Sequence, residues 1–256
     1  MEAIAPKNMK GLFTLTPFES KRLIAKAIPH LPSVRNALSR GTIIVANGTT
    51  NAFVAEELGK ITVASKALYS VGIITGGKLT ANPPEKVMPP LVIKHGTRVE
   101  IPWRDVLPEF GPHDVFIKGG NALDLDGFVG ILTGDGYGGT IGRALPVISS
   151  RGSTLVVPIG LEKLVPSVVE AAGLMGSQTF DWAIGGTAGM MVVTNAEVVT
   201  EIEAINLLSG AQATCVASGG VAGSEGAVTL VVQGDNEQVT EIKRIVESIK
   251  GEPQVV

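Results

Sequence analysis

The sequence predicts an α/β protein with a mainly parallel sheet, followed by a smaller α+β unit. Short runs of Val, Ile and Leu alternate with segments of helical periodicity over most of the chain. Strands separated by helices are typical of βαβ units, whose helices cover both faces of a parallel sheet. Of the 256 residues, 45% are hydrophobic and 18% are charged, which indicates a globular chain with a sizeable aliphatic core.

The charge and the cysteine content exclude several functional classes. A formal charge of −3 gives no electrostatic basis for nucleic-acid binding. The single cysteine, Cys215, rules out an intramolecular disulfide. No apolar run is long enough to span a membrane, and the N-terminal segment lacks the apolar core of a signal peptide. We therefore expect a cytoplasmic protein without a nucleic-acid or membrane partner.

The predicted elements begin with one or two helices in "FESKRLIAKAIPHLPSVRNALSR", interrupted at Pro29 and Pro32. In "GTIIVANGTTNAFVAEEL", Ile43 to Val45 form the first buried strand, and a helix follows the polar turn. "KITVAS" is the predicted second strand. "HDVFIKGG" and "STLVVPIG" are later strands, and the segment "EKLVPSVVEAAGLMG" is helical.

Residues 76–112 interrupt this alternation with clustered prolines and short β-like pieces such as "PLVIKHGTRVEIP". Because proline cannot donate a ladder hydrogen bond, we expect this segment to lie outside the main sheet. It would form a small hairpin over the site or at a partner contact.

The C-terminal residues 186–256 predict a separate ferredoxin-like domain, following a first domain of residues 1–185. "GMMVVT" is a predicted strand, "NAEVVTEIEAINLLSG" a helix, "ATCVASGG" and "GAVTLVVQGD" two strands, and "NEQVTEIKRIVESIKGE" a helix. "PQVV" could add an edge strand. The order βαββα is the split βαβ plan.

Three glycine-rich loops follow apolar strands: "NGTTN" (Asn47–Asn51), "KGGNALDLDG" (Lys118–Gly127) and "TGDGYGGTIG" (Thr133–Gly142). Ligands of open α/β sheets bind outside the carboxyl ends of the strands, so we expect these loops to converge on one crevice. Free backbone N–H groups at a helix N-terminus favour an anion there. The alternative is an ordinary βα turn with Thr50 or Asn51 as the N-cap.

Several of these segments resemble the superfamily that unites ribose-phosphate isomerases, glucosamine-phosphate deaminases and CoA transferases. "GTTN" followed by "AEEL" is similar to the family's opening phosphate loop, and "FIKGGNALD" is similar to the Lys-Gly-Gly-Gly-Gly-Ala-Leu loop of the isomerases. "STLVVPIGLEKLVPS" is similar to a segment of the lactate-utilisation branch. The resemblance spans residues 18–173. It implies a Rossmann-like domain and an activity like that of a sugar-phosphate isomerase or a CoA transferase.

The chain departs from this family at the residues that carry the chemistry. The acidic loop of the isomerases is absent, and Gly120 and Asn121 stand where relatives have Ala and a catalytic Asp. Isomerase activity is therefore not carried over. The remaining catalytic candidates are Lys118, which could meet a phosphate or carboxylate, and Asp124 and Asp126, which could act as a base. The alternatives are a lysine that reaches solvent and two turn-forming aspartates.

Glu162 in "GLEKLVP" invites comparison with the covalent glutamate of CoA transferases, but its surroundings differ, and a carboxylate in the first turn of a helix is the favoured interpretation. His30, His95 and His113 lack metal-ligand spacing, so we expect no metal site, and no cofactor is predicted.

The functional hypothesis is the binding of a small anionic metabolite, such as a phosphorylated sugar or a CoA-type or nucleotide-type ligand. The alternative is a non-catalytic sensor or assembly protein that oligomerises through its ferredoxin-like domain, and we expect a homo-oligomer. The predicted ligand-binding residues are Asn47, Gly48, Thr49, Thr50, Asn51, Gly119, Gly120, Asn121, Gly134, Gly136, Gly138 and Gly139.

Overall fold

The computed structural model describes residues 8–255 and has a mixed α/β architecture, as the sequence predicts. Its strands are β1 (Met9–Leu15), β2 (Thr42–Val45), β3 (Gly72–Thr75), β4 (Lys78–Ala81), β5 (Leu91–Lys94), β6 (Thr97–Val99), β7 (Val115–Ile117), β8 (Ala122–Leu123), β9 (Val129–Thr133), β10 (Thr154–Pro158), β11 (Gly189–Val193), β12 (Glu197–Val199), β13 (Gln212–Gly219) and β14 (Ala227–Gly234).

The helices mostly connect strands of different sheets. They are α1 (Pro17–Ala27), α2 (Pro32–Arg40), α3 (Thr49–Gly59), α4 (Trp103–Val106), α5 (Gly139–Arg151), α6 (Val168–Gly173), α7 (Glu201–Ser209) and α8 (Asn236–Ile249). The helices that the sequence predicts within residues 18–40 correspond to α1 and α2. In α1, Thr16 and Glu19 form a capping box, which fixes the start of the helix.

The central sheet has six strands in the order β12-β10-β7-β2-β5-β6. The four strands β12, β10, β7 and β2 are parallel, so their carboxyl ends lie at one edge of the sheet. β5 and β6 run antiparallel to their neighbours, which makes the sheet mixed.

Part of the proline-rich segment 76–112 belongs to the main sheet, contrary to the prediction, whereas β4 pairs with β3 in a separate two-stranded sheet. The hairpin of β5 and β6 pairs with β2 in the register Ile43↔Ile93. β5 is buried from Leu91 to Ile93, and the prolines flank the hairpin instead of interrupting it. "KITVAS" is not a strand, because the positions on both sides of β2 are taken by β5 and β7.

A three-stranded antiparallel sheet has the order β1-β14-β13. The sequence predicted β13, β14, α7 and α8, but the third strand is β1, whose Met9 pairs with Gly234. The predicted "GMMVVT" strand is β11, which pairs with β9 and β8 in another sheet. α7 begins only at Glu201, because Thr200 caps it, and the preceding residues form β12. Residues 253–255 of "PQVV" are not a strand, and Val256 lies outside the described residues.

Two apolar clusters cover the faces of the six-stranded sheet. Ile43 and Val45 of β2 face a cluster that also includes residues of α1, α3, β14 and α8, whereas Ile44 faces a cluster with α5. The first cluster contains residues from both sides of the proposed boundary at residue 185. The N-terminal helices and α8 therefore share one core.

Candidate functional site

Four polar segments follow the parallel strands at their carboxyl ends. The sequence predicted two of them, Asn47–Asn51 after β2 and the start of the Lys118–Gly127 loop after β7. The other two are Gly160–Lys163 after β10 and Thr200–Glu201 after β12. Because all four strands run parallel, these segments share one edge of the sheet.

The first segment is held in place by its asparagines. The Asn47 Nδ2 donates to Tyr69 O at 3.2 Å and to Met88 O at 2.8 Å. The Asn51 Nδ2 donates to Ala46 O at 2.7 Å and to Ile117 O at 3.1 Å, which ties the start of α3 to β7. These bonds fix the orientation of the Asn51 amide, so its Oδ1 is an acceptor.

Two buried oxygens of this segment lack a hydrogen-bond partner in the described structure, Thr50 Oγ1 and Asn51 Oδ1. Both side chains are fully or almost fully buried, at 2% and 0% exposure. α3 begins at Thr49, so the first N–H groups of the helix have no partner within it. Buried polar atoms are rarely left unpaired, so this arrangement is suited to a ligand that supplies hydrogen bonds.

Two lysines meet at the loop after β7. The Lys118 Nζ donates to Gly119 O at 3.1 Å, and the Lys163 Nζ donates to Gly120 O at 2.8 Å. Burial and then the charge of Lys163 lower the pKa of Lys118 to about 8. Burial also lowers the pKa of Lys163, although Glu162 acts in the opposite direction.

The close packing around this loop explains why glycine occurs in it. A β-carbon on Gly120 would lie 2.4 Å from Val129 Cγ1 and 2.7 Å from Ile159 Cδ1, so a larger residue would force these side chains to move. A β-carbon on Gly119 would lie 3.8 Å from Asn51 Oδ1, which places this glycine beside the unpartnered acceptor. The first two predicted loops are therefore adjacent.

A pair of glutamates lies next to the lysines. The Lys21 Nζ is 3.4 Å from Glu162 Oε1, and Glu162 Oε2 has no hydrogen-bond partner among the described residues. The Glu201 Oε2 accepts a hydrogen bond from Leu161 N at 2.9 Å, and its side chain is completely buried. Ser20 is close enough to Glu201 to lower its pKa, but its hydroxyl does not make a hydrogen bond of good geometry.

Burial, followed by the charge of Glu162, raises the pKa of Glu201 to about 7. A carboxyl group of that pKa carries a proton for part of the time at neutral pH. Glu201 can therefore exchange a proton with a neighbouring group.

Asp124 and Asp126 lie elsewhere in the same loop. The Asp124 Oδ1 accepts hydrogen bonds from Asp126 N and Phe128 N, and its Oδ2 accepts from Val168 N at the start of α6. Asp126 is exposed. Both positions correspond to the turn-forming alternative. Asn121 is also exposed, and its Oδ1 accepts from Leu132 N.

The third glycine-rich loop follows β9, which belongs to the β11-β9-β8 sheet instead of the six-stranded sheet. Gly134 and Gly136 are exposed, and Gly138 and Gly139 open α5 with positive φ. The Asp135 Oδ1 accepts hydrogen bonds from Tyr137 N and Gly139 N, so one of the predicted anion donors is already occupied. The hydrogen bond from Asn51 to Ile117 and the approach of Gly119 to Asn51 connect the first two loops, and the third loop takes no part in these contacts.

Comparison of the chain with protein-family models, with curated proteins and with solved structures finds no match. Within residues 8–255, no helix is long and apolar enough to cross a membrane. The same residues contain no group of three or more His, Cys, Asp or Glu side chains that could hold a metal ion.

Sequence reasoning missed Lys163 and Glu201. Lys163 comes a few residues after the buried strand in "TLVVPIG". A lysine shortly after a buried strand is the same pattern that made Lys118 a candidate. Glu201 looked like an ordinary acidic residue near the start of an amphipathic helix. Its burial follows from the packing of α7 against α1, which local sequence does not reveal.

Proposed function

We propose that the carboxyl edge of the parallel strands binds a small anion that also carries hydroxyl groups, such as a phosphorylated polyol or a hydroxy acid. The observation that carries the proposal is that the ammonium groups of Lys118 and Lys163 lie at the same loop, the one after β7. Both ammonium groups contact backbone carbonyls of one loop, and neither forms an ion pair with a carboxylate of the described chain. An anion between them would relieve their mutual repulsion.

The charges around the lysines support an anionic ligand over a neutral one. Lys21 is paired with Glu162, and Glu201 is only partly ionised at neutral pH. The cluster that Lys21, Glu162 and Glu201 form with Lys118 and Lys163 contains three ammonium groups and two carboxyl groups. It therefore carries excess positive charge. Buried charges of one sign are costly without a counter-charge, and phosphate or carboxylate supplies one.

The unpartnered oxygens support hydroxyl groups on the ligand. The orientation of Asn51 makes its Oδ1 an acceptor, which a ligand O–H can satisfy and a bare anion cannot. Thr50 can donate or accept. The free N–H groups at the start of α3 would add donors to the anion. Asp124 and Asp126 have no role in this proposal.

The experiment that tests the proposal is a calorimetric titration with inorganic phosphate of the native protein, Lys118→Met and Lys163→Met. Each substitution is expected to weaken binding about tenfold or more, because a hydrogen bond to a charged group contributes about 1.5–3 kcal/mol. Methionine is unbranched like lysine, is one atom shorter and removes a buried charge, so we expect both variants to fold.

The matched control is Lys243→Met, which removes the same charge from an exposed position on α8. It should leave phosphate binding unchanged. If phosphate affinity fell equally in all three variants, the loss would reflect the lower net charge of the protein and not a specific site. Unchanged affinity in Lys118→Met and Lys163→Met would contradict the proposal.

A second candidate, an enzyme of the isomerase or transferase kind, is favoured by the position of Glu162. Its charge acts on the pKa of Lys163, and its Oε2 has no hydrogen-bond partner among the described residues. The Glu162 carboxylate could therefore take a proton from a ligand carbon while the Lys163 ammonium stabilises the negative charge on the adjacent oxygen. Returning the proton completes the step without gain or loss of atoms. This role would also agree with the resemblance to the isomerase and CoA-transferase superfamily and its Rossmann-like domain.

Deuterium exchange measures this step directly. Sugar phosphates incubated with the protein in D₂O should gain deuterium next to the carbonyl, as followed by NMR. Glu162→Gln should lose the exchange and keep phosphate binding within a few-fold, because the amide has the same shape and no basic oxygen. Exchange that survives in Glu162→Gln would exclude this residue as the base.

A further inference from the structure

The strand β13 has an unusual free edge. It pairs with β14 on one side, and no other strand within residues 8–255 pairs with its opposite side. The strand is 8 residues long, and a bulge between Cys215 and Ala217 is its one irregularity. A long free edge presents a row of backbone donors and acceptors to which another strand can bind.

Several other sheet edges in the described structure are short or carry charge, although the 5-residue edge strand β11 does not. β6 and β12 have 3 residues each, and β6 contains Arg98. β1 contains Lys10, and the Lys250 Nζ donates to Thr14 O at 2.5 Å. Lysine, proline, short length and β-bulges are among the usual means by which proteins prevent pairing at an edge.

β13 has none of these protections except its bulge. No charged residue occurs between Glu203 and Glu225, and no proline interrupts the strand. Val216 and Val221 are exposed at 53% and 79%. The edge is therefore uncharged, so pairing it with a copy of itself brings no like charges together.

A cleft of about 800 Å³ lies beside this edge. Residues from both faces of the sheet line the cleft: Cys215, which shares a face with buried Leu230, and Thr214, which lies on the opposite face. Because both faces contribute, the cleft borders the edge of the strand. Leu161, Leu164 and Glu162 line another part of the cleft.

We propose that a second copy of the chain pairs its β13 antiparallel to this edge, forming a two-fold symmetric dimer. Antiparallel pairing of two identical strands is self-complementary, so the assembly closes after two subunits. The two-fold axis lies near Cys215 and Val216, at the middle of the strand. The partner strand fills the part of the cleft next to β13 and encloses the part that Glu162 lines. This inference does not depend on anion binding.

The experiment compares the native protein with Val216→Lys and Leu12→Lys by size-exclusion chromatography with light scattering. The native protein should have twice the monomer mass of 26.5 kDa. Val216→Lys should raise the dimer dissociation constant at least about tenfold, because two ammonium groups then meet near the axis. Leu12→Lys adds the same charge at an exposed position on β1, the opposite edge of the same sheet, and should remain dimeric.

Cys215 provides a second measurement, because it is the single cysteine of the chain. A short bismaleimide should cross-link the native protein and Leu12→Lys into covalent dimers, and it should cross-link Val216→Lys far less. Circular dichroism and thermal unfolding show whether the variants remain folded. A native protein that is monomeric at the highest concentration reached would overturn the proposal. A dimer that resists Val216→Lys, or that Leu12→Lys dissociates, would also overturn it.

Discussion

Replacing Arg22 by methionine is expected to lower the free energy of unfolding by about 3–5 kcal/mol, the loss that accompanies removal of one partner from a buried ionic network. Its guanidinium donates to Glu56 Oε2 at 2.6 Å, Glu57 Oε1 at 3.1 Å and Glu252 Oε2 at 2.9 Å. It also lies 4.7 Å from the centre of the Phe53 ring. One side chain thus joins α1, α3 and the C-terminal segment.

The loss should depend on pH. Burial alone would raise the pKa of Glu56, but hydrogen bonds from Arg22 and Lys66 outweigh it and lower that pKa below the ordinary value. A lowered pKa stabilises the folded state above the unfolded pKa, and this stabilisation is lost as the carboxylate is protonated. The difference between Arg22→Met and the native protein should therefore shrink as the pH falls through the range in which carboxylates titrate.

Urea unfolding at several pH values measures this effect. The control is Arg244→Met on α8, where the exposed pair with Glu241 should contribute well under about 1 kcal/mol. An Arg22→Met variant as stable as the control would show that the network does not hold the N-terminal and C-terminal parts together.

Replacing Glu201 by glutamine is expected to stabilise the protein above neutral pH, on the order of a few kcal/mol. The pKa of Glu201 is raised from 4.5 to about 7, so between these values the folded state binds more protons than the unfolded state. Stability from this group therefore falls as the pH rises from 4.5 to about 7. Glutamine has no charge to desolvate and keeps an oxygen for the hydrogen bond from Leu161.

The measurement is the unfolding free energy as a function of pH for the native protein, Glu201→Gln and the exposed control Glu237→Gln. The curves for Glu201→Gln and the native protein should converge at acidic pH and separate towards pH 8. A Glu201→Gln variant that is less stable than the native protein at pH 8 would mean that the ionised carboxylate is favourable in its place.

The fold class and several elements could be predicted from local sequence, whereas pairing over long distances could not. The apolar runs of β2, β7 and β10, and the helical periodicity of α7 and α8, fixed those elements. β1 was missed although its inward residues alternate, because its partner β14 is more than 200 residues away. The β5–β6 hairpin was found as a hairpin, but the clustered prolines suggested the wrong location for it.

The candidate site was predicted in part for the same reason. The residues that follow β2 and β7 could be identified because each comes directly after a buried strand. Lys163 and Glu201 belong to the site because β10 and β12 lie beside β7 in the sheet, and that order appears only in the folded chain. The third glycine-rich loop had the right local pattern, but its strand belongs to a different sheet.

If Lys118 and Lys163 hold an anion, its affinity should depend on the charge of Lys118. Calorimetric titration with sulfate from about pH 7 to about pH 9.5 measures that dependence, because sulfate keeps its charge over this range. The pKa of Lys118 is about 8 in the free protein, and an anion raises it. We expect the affinity for sulfate to fall as the pH rises above about 8. We also expect binding near pH 8 to take up protons, as measured by comparing buffers of different ionisation enthalpy. Binding without proton uptake and with the same affinity across the range would contradict the proposal that these lysines hold an anion.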